Sequence, residues 1–336
     1  MRFWWVNHNQ TARQEIEGGY LWSPKREASG ARSRFYDNMR EAAPGDLVLS
    51  YSQQAVRFVG QVTDYAFTAL KPPEFGSLGS YWEAEGWLLP VSWLAVERPV
   101  SPKSLISALG PLLPEKYSPI HRETGYGNQK AYLAEVPPTV FQIVAQAAEF
   151  PEVDFSRPGA NTAQGDLIRE LIEDEVEARL KSEPALSDIV RKSLIEARRG
   201  QGLFRANVMK VCPACPLTGV SNPALLIASH IKPWRVCTTA EERLDGLNGL
   251  MLTPDADLLF DRGFIGFGEA GEVMVSGRVD REDLRRLGLG HISLSPSGLQ
   301  DAGALWREQN LQEAQAGYLK YHLENVFLGG DPQAYP

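Results

Sequence analysis

A proline-rich stretch divides this chain into two halves with different hydrophobic periods. Pro137, Pro138, Pro151, Pro158 and Gly159, followed by Asn161 and Thr162, all fall between residues 137 and 164. Proline fixes φ and lacks a backbone donor, so this stretch reads as a helix followed by a loop, with a domain boundary there. Before it, from Arg2 to about Val136, short apolar and aromatic runs alternate with Gly, Pro and Ser, the pattern of a β-rich domain. The clearest strands are Phe3–Val6, Leu47–Tyr51, Val56–Thr63 and Trp87–Val96. Pro44-Gly45-Asp46 supplies a turn, and Phe35–Glu41 reads as a short helix before it. After the stretch, from Gln164 to Arg199, two amphipathic helices split near Glu183-Pro184, with Leu167, Leu171, Ile172, Val176 and Leu180 assigned to one face. Both read as packing helices; the alternative for Arg191, Lys192, Arg198 and Arg199, leading into Arg205, is a basic face toward phosphate. The expected layout is a domain over 1–150, a helical linker over 151–199 and a second domain over 200–336. The expected class is α+β, with a mixed β-barrel first.

Length supports two cores, since single cores stop growing well before 336 residues. Hydrophobic residues at 43% and charged residues at 23% exclude disorder and fibrous repeats. The start, MRFWWVNHNQ, lacks a basic segment followed by an apolar run, and no run approaches the roughly 18 apolar residues of a membrane span. A cytoplasmic protein is therefore expected. Three cysteines make no disulfide framework. A net charge of −8 argues against a protein that coats nucleic acid by bulk electrostatics, yet Lys25, Arg26, Arg32, Arg34 and Arg40 face only Glu27 and Asp37 locally.

Chemistry concentrates between Leu217 and Phe267. The blocks are Leu217-Thr218-Gly219, Ala228-Ser229-His230-Ile231-Lys232-Pro233-Trp234, Asn248-Gly249-Leu250 and Asp257-Leu258-Leu259-Phe260-Asp261-Arg262-Gly263. Leu225–His230 and Asn248–Leu252 read as strands and Asp255–Arg262 as a helix, with Asp257 and Asp261 one turn apart. A strand–loop–strand–helix unit of this kind aims an imidazole and a carboxylate at one spot. Phosphodiester hydrolysis needs such a base, and a cation to neutralise phosphate charge.

These four blocks in order resemble the HNH endonucleases, over roughly Gly200 to Ser276, and Tyr321–Phe327 resembles the C-terminal helix of that branch. The resemblance implies a ββα-metal nuclease domain with His230 as general base, Asn248 orienting its ring and Asp257 as a ligand of Mg²⁺ or Mn²⁺. Many such sites carry an acidic or histidine ligand where this chain has Ser229, so Ser229, Asp261 and water are the candidates for further ligands. Lys232, Arg235, Arg243 and Arg205 are candidate phosphate contacts. For Asn248 the alternative is turn chemistry with Gly249, and for Asp257 a favourable charge near a helix start. Cys212-Pro213-Ala214-Cys215 has the spacing of half a zinc site; with Cys237 as a third thiol and no fourth ligand, structural zinc is not expected. His8, His121, His291 and His322 show no ligand spacing.

The first half has its own signature: Phe3-Trp4-Trp5-Val6-Asn7, Gly19-Tyr20-Leu21-Trp22-Ser23-Pro24, Pro44-Gly45-Asp46-Leu47-Val48 and Gly125-Tyr126-Gly127-Asn128-Gln129. Over about residues 1–136 it resembles the EVE group of PUA-like domains, related to the YTH readers. That resemblance implies binding of a modified base turned out of its strand, with Trp22 as a stacking wall; Trp82 is a candidate second wall, and Asn7, Ser23 and Asn128 are candidates for the base edge, each equally suited to a turn or cap. Six of the eight tryptophans lie in the first 93 residues, and most belong in the core. The two resemblances together imply a modification-dependent restriction endonuclease acting on double-stranded DNA with 5-methylcytosine or 5-hydroxymethylcytosine. A homodimer is expected, since cutting two strands needs two sites. The alternatives are an inactive binder of modified nucleic acid and an HNH nuclease indifferent to modification.

Overall fold

The computed structural model describes residues 1–150, 162–268, 272–292 and 311–329. The chain separates into two compact units, 1–172 and 173–336, with the division inside a helix, Thr162–Ser182.

In the first unit, β1 (Phe3–Asn7), β2 (Tyr20–Pro24), β3 (Leu47–Ser52), β4 (Ala55–Val62), β5 (Phe67–Leu70), β6 (Glu85–Val100) and β7 (Leu133–Glu135) form one mixed sheet in the order β2-β6-β4-β3-β1-β7, with β5 also on β6. β1 runs parallel to β3 and antiparallel to β7. The long β6 serves β2 and β5 with its first residues and β4 with its later ones, which curls the sheet. Side chains alternate between faces with a period of two, and both faces are covered. Trp5, Leu47, Leu49 and Tyr51 pack with Val140, Phe141 and Val144 of the Pro138–Ala147 helix. Trp4, Val6 and Val48 pack with Met39 of the Arg34–Glu41 helix and with Leu89 and Val91. The turn before β3 is pinned by Asp46, whose carboxylate accepts from Trp4 Nε1 at 2.9 Å and from the Arg2 amide at 2.6 Å.

The second unit is helical around a small hairpin. Helices Asp188–Arg198 and Gly202–Val211 precede β8 (Ile227–His230), which pairs antiparallel with β9 (Gly249–Leu252), and the Pro254–Asp261 helix follows. This is the ββα unit expected from the sequence. A second hairpin joins β10 (Ile265–Phe267) to β11 (Val273–Val275), and a helix spans Leu311–Asn325. The class is α+β. The helix pair expected between 164 and 199 breaks where Glu183-Pro184 interrupts it, but its apolar face differs from the expectation. Leu167 and Leu171 are exposed, whereas Ile168, which packs with Phe67 and Ala69 of β5, and Val176 are buried. Among the described residues, no helix is long and apolar enough to cross a membrane.

Candidate functional site

In the second unit the hairpin sets the geometry. His230 closes β8 directly across from Gly249. A Cβ on Gly249 would lie 2.3 Å from Val208 and 2.9 Å from the Phe204 ring, so glycine lets the Gly202–Val211 helix press against the hairpin. Phe204 then stacks flat on His230, with centroids 3.7 Å apart and planes 5° from parallel. His230 Nε2 lies 3.0 Å from the carbonyl oxygen of Arg243. A carbonyl only accepts, so Nε2 carries the proton and Nδ1 keeps its lone pair. Burial pushes the imidazole pKa down to about 4, against the opposing pull of the Arg243 carbonyl, so the ring is neutral at pH 7.

Asn248 is fully buried and acts on the ring at one remove. Its Oδ1 accepts from the Lys232 amide at 2.8 Å, and its Nδ2 donates to the Glu242 carbonyl at 3.0 Å and toward the Lys232 carbonyl at 3.3 Å. It thus ties the segment after His230 to the residue next to Arg243. The ring's hydrogen-bond partner is the Arg243 carbonyl, whereas the amide of Asn248, the residue read from the sequence as orienting the ring, is committed to backbone and lies 3.4 Å from Cys237 Sγ. Gly249 has an extended φ of −148°, so Asn248-Gly249 is not a tight turn.

Asp257 sits in the first turn of the Pro254–Asp261 helix. Burial pushes its carboxyl up to about 6, the neighbouring Asp261 charge adds to the rise, and a hydrogen bond from Ser229 opposes it. The charge of Asp261 also acts on His230, so the imidazole, two carboxylates and a hydroxyl share one locality. Among the described residues, no three His, Cys, Asp or Glu side chains are grouped to cage a metal. Hard oxygens from one or two carboxylates and a hydroxyl do fit Mg²⁺ or Mn²⁺, which complete their shells with water and substrate phosphate.

The four basic candidates are engaged within the protein. Lys232 Nζ pairs with Glu242 at 2.9 Å, and Arg205 donates to the carbonyls of Leu226 at 2.8 Å and Pro223 at 2.6 Å. Arg235 and Arg243 are buried at 3% and 6% exposure, Arg235 near Glu173 and Arg243 against the Trp234 ring. Their location suits bracing the loop after His230 rather than the phosphate contact expected of them. Cys212, Cys215 and Cys237 are buried thiols, and burial pushes Cys212 up to about 11 and Cys237 up to about 12.

The first unit holds a cavity of about 840 Å³ whose lining includes Asn7, Trp22, Ser23, Trp82 and Asn128. The structure therefore brings together all five residues singled out for base binding. Their surroundings differ. Trp22 is 1% exposed, wedged edge-on to Phe75, with Nε1 toward the Ala69 carbonyl. Trp82 is half-buried, its ring 6.0 Å from that of Trp22. Ser23 Oγ is buried with no hydrogen-bond partner among the described residues. Asn7 is committed: Nδ2 donates to the Pro119 carbonyl at 2.7 Å and Oδ1 accepts from Trp5 Nε1 at 2.9 Å. Tyr81 and Tyr126, 69% and 50% exposed, also line the cavity.

Sequence reading missed a buried polar network beside this cavity. His8 Nδ1 meets Glu15 Oε2 at 2.6 Å, and His8 Nε2 meets Ser50 Oγ at 2.7 Å. Glu15 Oε1 accepts from the Tyr132 hydroxyl and from the Trp22 amide at 3.0 Å. Burial, with Glu15 beside it, raises Tyr132 well above its ordinary value and keeps the phenol protonated. The network fixes β2, and with it Trp22 and Ser23. Its members are spread over more than a hundred residues, so no local spacing reveals it.

Residues 215–268 match the HNH endonuclease family. That segment holds His230, Asn248, Asp257 and the whole β8–β9–helix unit, in agreement with the resemblance read from its motifs. No curated protein matches the chain significantly. Among solved structures, the chain is similar to the YTH domain of Zygosaccharomyces rouxii MRB1 in complex with N6-methyladenosine RNA, at 15% identity and a TM-score of 0.29, over 46% of this chain and 90% of that one. It is similar to the Pho92 YTH domain in complex with m6A, at 15% identity and a TM-score of 0.28, over 45% and 88%. Rpa0253 from Rhodopseudomonas palustris is matched at 13% identity and a TM-score of 0.30, over 46% and 97%.

Proposed function

We propose that the chain is a modification-dependent endonuclease, in which the first unit holds an extruded 5-methylcytosine or 5-hydroxymethylcytosine and the second hydrolyses a nearby phosphodiester in double-stranded DNA. The observation that carries the nuclease half is the neutral His230 ring, fixed by Phe204 and the Arg243 carbonyl beside Asp257, inside the segment that matches HNH endonucleases. His230 Nδ1 takes the proton from the attacking water, and the Arg243 carbonyl stabilises the imidazolium that forms. Asn248 keeps that carbonyl in place through the Glu242 peptide. Asp257, with Ser229 and Asp261 as further oxygen donors, would hold Mg²⁺ or Mn²⁺. The cation supplies charge neutralisation at the phosphate and the leaving oxygen.

The cavity supports the reader half. It is large enough for a nucleobase, it combines aromatic walls with a buried unpartnered hydroxyl at Ser23, and stacking with edge hydrogen bonds offsets the few kcal/mol of unstacking. Selection by the first unit would leave the second free to cut without base readout of its own. Two copies of the chain meeting on the duplex would cut both strands, and such an enzyme would serve in defence against phage DNA with modified cytosine.

The test is cleavage of matched duplexes carrying cytosine, 5-methylcytosine or 5-hydroxymethylcytosine, in Mg²⁺ or Mn²⁺, by the parent and by His230→Ala. Cutting confined to modified duplexes and abolished in the variant is the expected result. Equal cutting of all three would overturn the reader half alone, and no cutting of any would overturn the nuclease half.

A further inference from the structure

The hairpin between β3 and β4 closes on two residues, Gln53 and Gln54, flanked by the Ser52–Ala55 pair. Both have positive φ, 49° and 63°. That is the backbone of a type I′ turn, which favours Asn-Gly or Gly-Gly because a side chain is strained at both positions. The turn nonetheless carries two long amide side chains. Both are exposed, and both line the cavity. The strained loop is held rather than loose: the Gln53 amide donates to Asn9 Oδ1 at 2.7 Å, tying the tip to the loop after β1. Asn9 and Gln10 of that loop line the cavity as well, which concentrates uncharged carboxamides at its margin.

A conformation that costs stability and persists at a cavity margin is retained for what its side chains do there. A carboxamide offers an acceptor and two donors in one plane. When cytosine leaves a duplex, its guanine partner is left with an O6 acceptor and N1–H and N2–H donors, the edge that a carboxamide complements.

We propose that the Gln53-Gln54 hairpin tip is a wedge that enters the duplex as the modified base is extruded and hydrogen-bonds the orphaned guanine. This rests on the reading of the cavity as a pocket for an extruded base. It assigns a task to residues outside the pocket walls: holding the duplex open rather than recognising the modification.

The experiment compares the full chain with the Gln53→Asn/Gln54→Gly double variant, whose turn suits its backbone better. Binding is measured in Ca²⁺, to suppress cleavage, on three probes, each alongside its counterpart with unmodified cytosine. These are a single strand carrying 5-hydroxymethylcytosine, the same strand in duplex, and that duplex with 2-aminopurine beside the orphaned guanine as a reporter of unstacking. The variant should melt no lower than the parent, bind the single strand within about twofold, and lose at least tenfold in duplex affinity together with the 2-aminopurine signal. Unchanged duplex affinity and signal in the variant would overturn the wedge while leaving the pocket. A parent that prefers modified over unmodified cytosine on neither strand nor duplex would overturn both, and the single-strand probe tells the two failures apart.

Discussion

His230 and Arg243 are joined by a hydrogen bond of 3.0 Å that runs from the imidazole Nε2 to a main-chain carbonyl oxygen. A side-chain partner can be lost by mutation; a carbonyl cannot, and it fixes the tautomer whichever residue stands at 243. Because the ring is already braced by Phe204, His230→Ala should leave the fold intact and remove only the base. Cleavage should fall by about 10²- to 10⁴-fold, the range for loss of a general base. Single-turnover rates on a duplex that the parent cuts would check this, with melting temperatures as the control. Retained cleavage would remove His230 from the chemistry.

Asn248→Ala separates a positioning residue from a catalytic one. The substitution leaves the buried Lys232 amide and Glu242 carbonyl short of a partner, at a cost of about 1–3 kcal/mol. Activity should fall together with the melting temperature of the second unit. Asn248→Asp, which keeps the acceptor for Lys232 but loses both donors, should be no better than alanine. If Asn248 instead touched substrate, activity would fall with stability unchanged.

Much of this architecture was legible because it is periodic or local. The alternation that buries Trp4 and Trp5 on opposite faces of β1 is written in the strand itself, and so is the proline that ends the helix before residue 184. The four motif blocks marked out the β8–β9–helix unit because they are linked by short spacings. What escaped is long-range. The Glu15–His8–Ser50–Tyr132 network depends on how β1, β3 and the residue before β7 converge. The Gln53-Gln54 turn escaped for the opposite reason, since turn signals are sought in Gly, Pro and Asn. Arginines 235 and 243 show that sequence charge alone does not separate a phosphate contact from a buried brace.

Trp22 and Trp82 make unequal tests of the reader. Trp22 is core, so Trp22→Ala should destabilise the first unit by about 3–5 kcal/mol and confound any binding measurement. Trp82 is half-buried and offers a ring face at lower structural cost. Trp82→Ala should weaken binding to modified DNA by about tenfold to a hundredfold, the worth of one base–aromatic stack, with little change in melting temperature. Equal binding by Trp82→Ala and the parent would move the stacking wall to Tyr81 or Tyr126.

Arg198 shows the price of reading a basic helix end as a phosphate contact. Its guanidinium holds Glu173 at 3.1 Å, Asp174 at 2.8 Å and Glu177 at 2.5 Å, and so clamps Asp188–Arg198 to the preceding helix within the second unit. Glu177 lies below its ordinary carboxylate range, chiefly through its hydrogen bond from Lys181, with Arg198 adding to the shift. A depressed folded-state value gives stability that is fully present above the unfolded value, about 4.5, and is lost as pH falls through the folded one. The contribution of Glu177 to the stability of the second unit should therefore be flat from neutrality to about pH 5 and decline below it, superimposed on the opposite-signed contributions of His230, which costs stability as pH falls below its ordinary value, and Asp257. Arg198→Met should lower stability by about 1–3 kcal/mol at pH 7, where Glu177 is charged, and by less at pH 3, where it is protonated. Weakened DNA binding in Arg198→Met at unchanged stability would instead restore the phosphate role that the sequence left open.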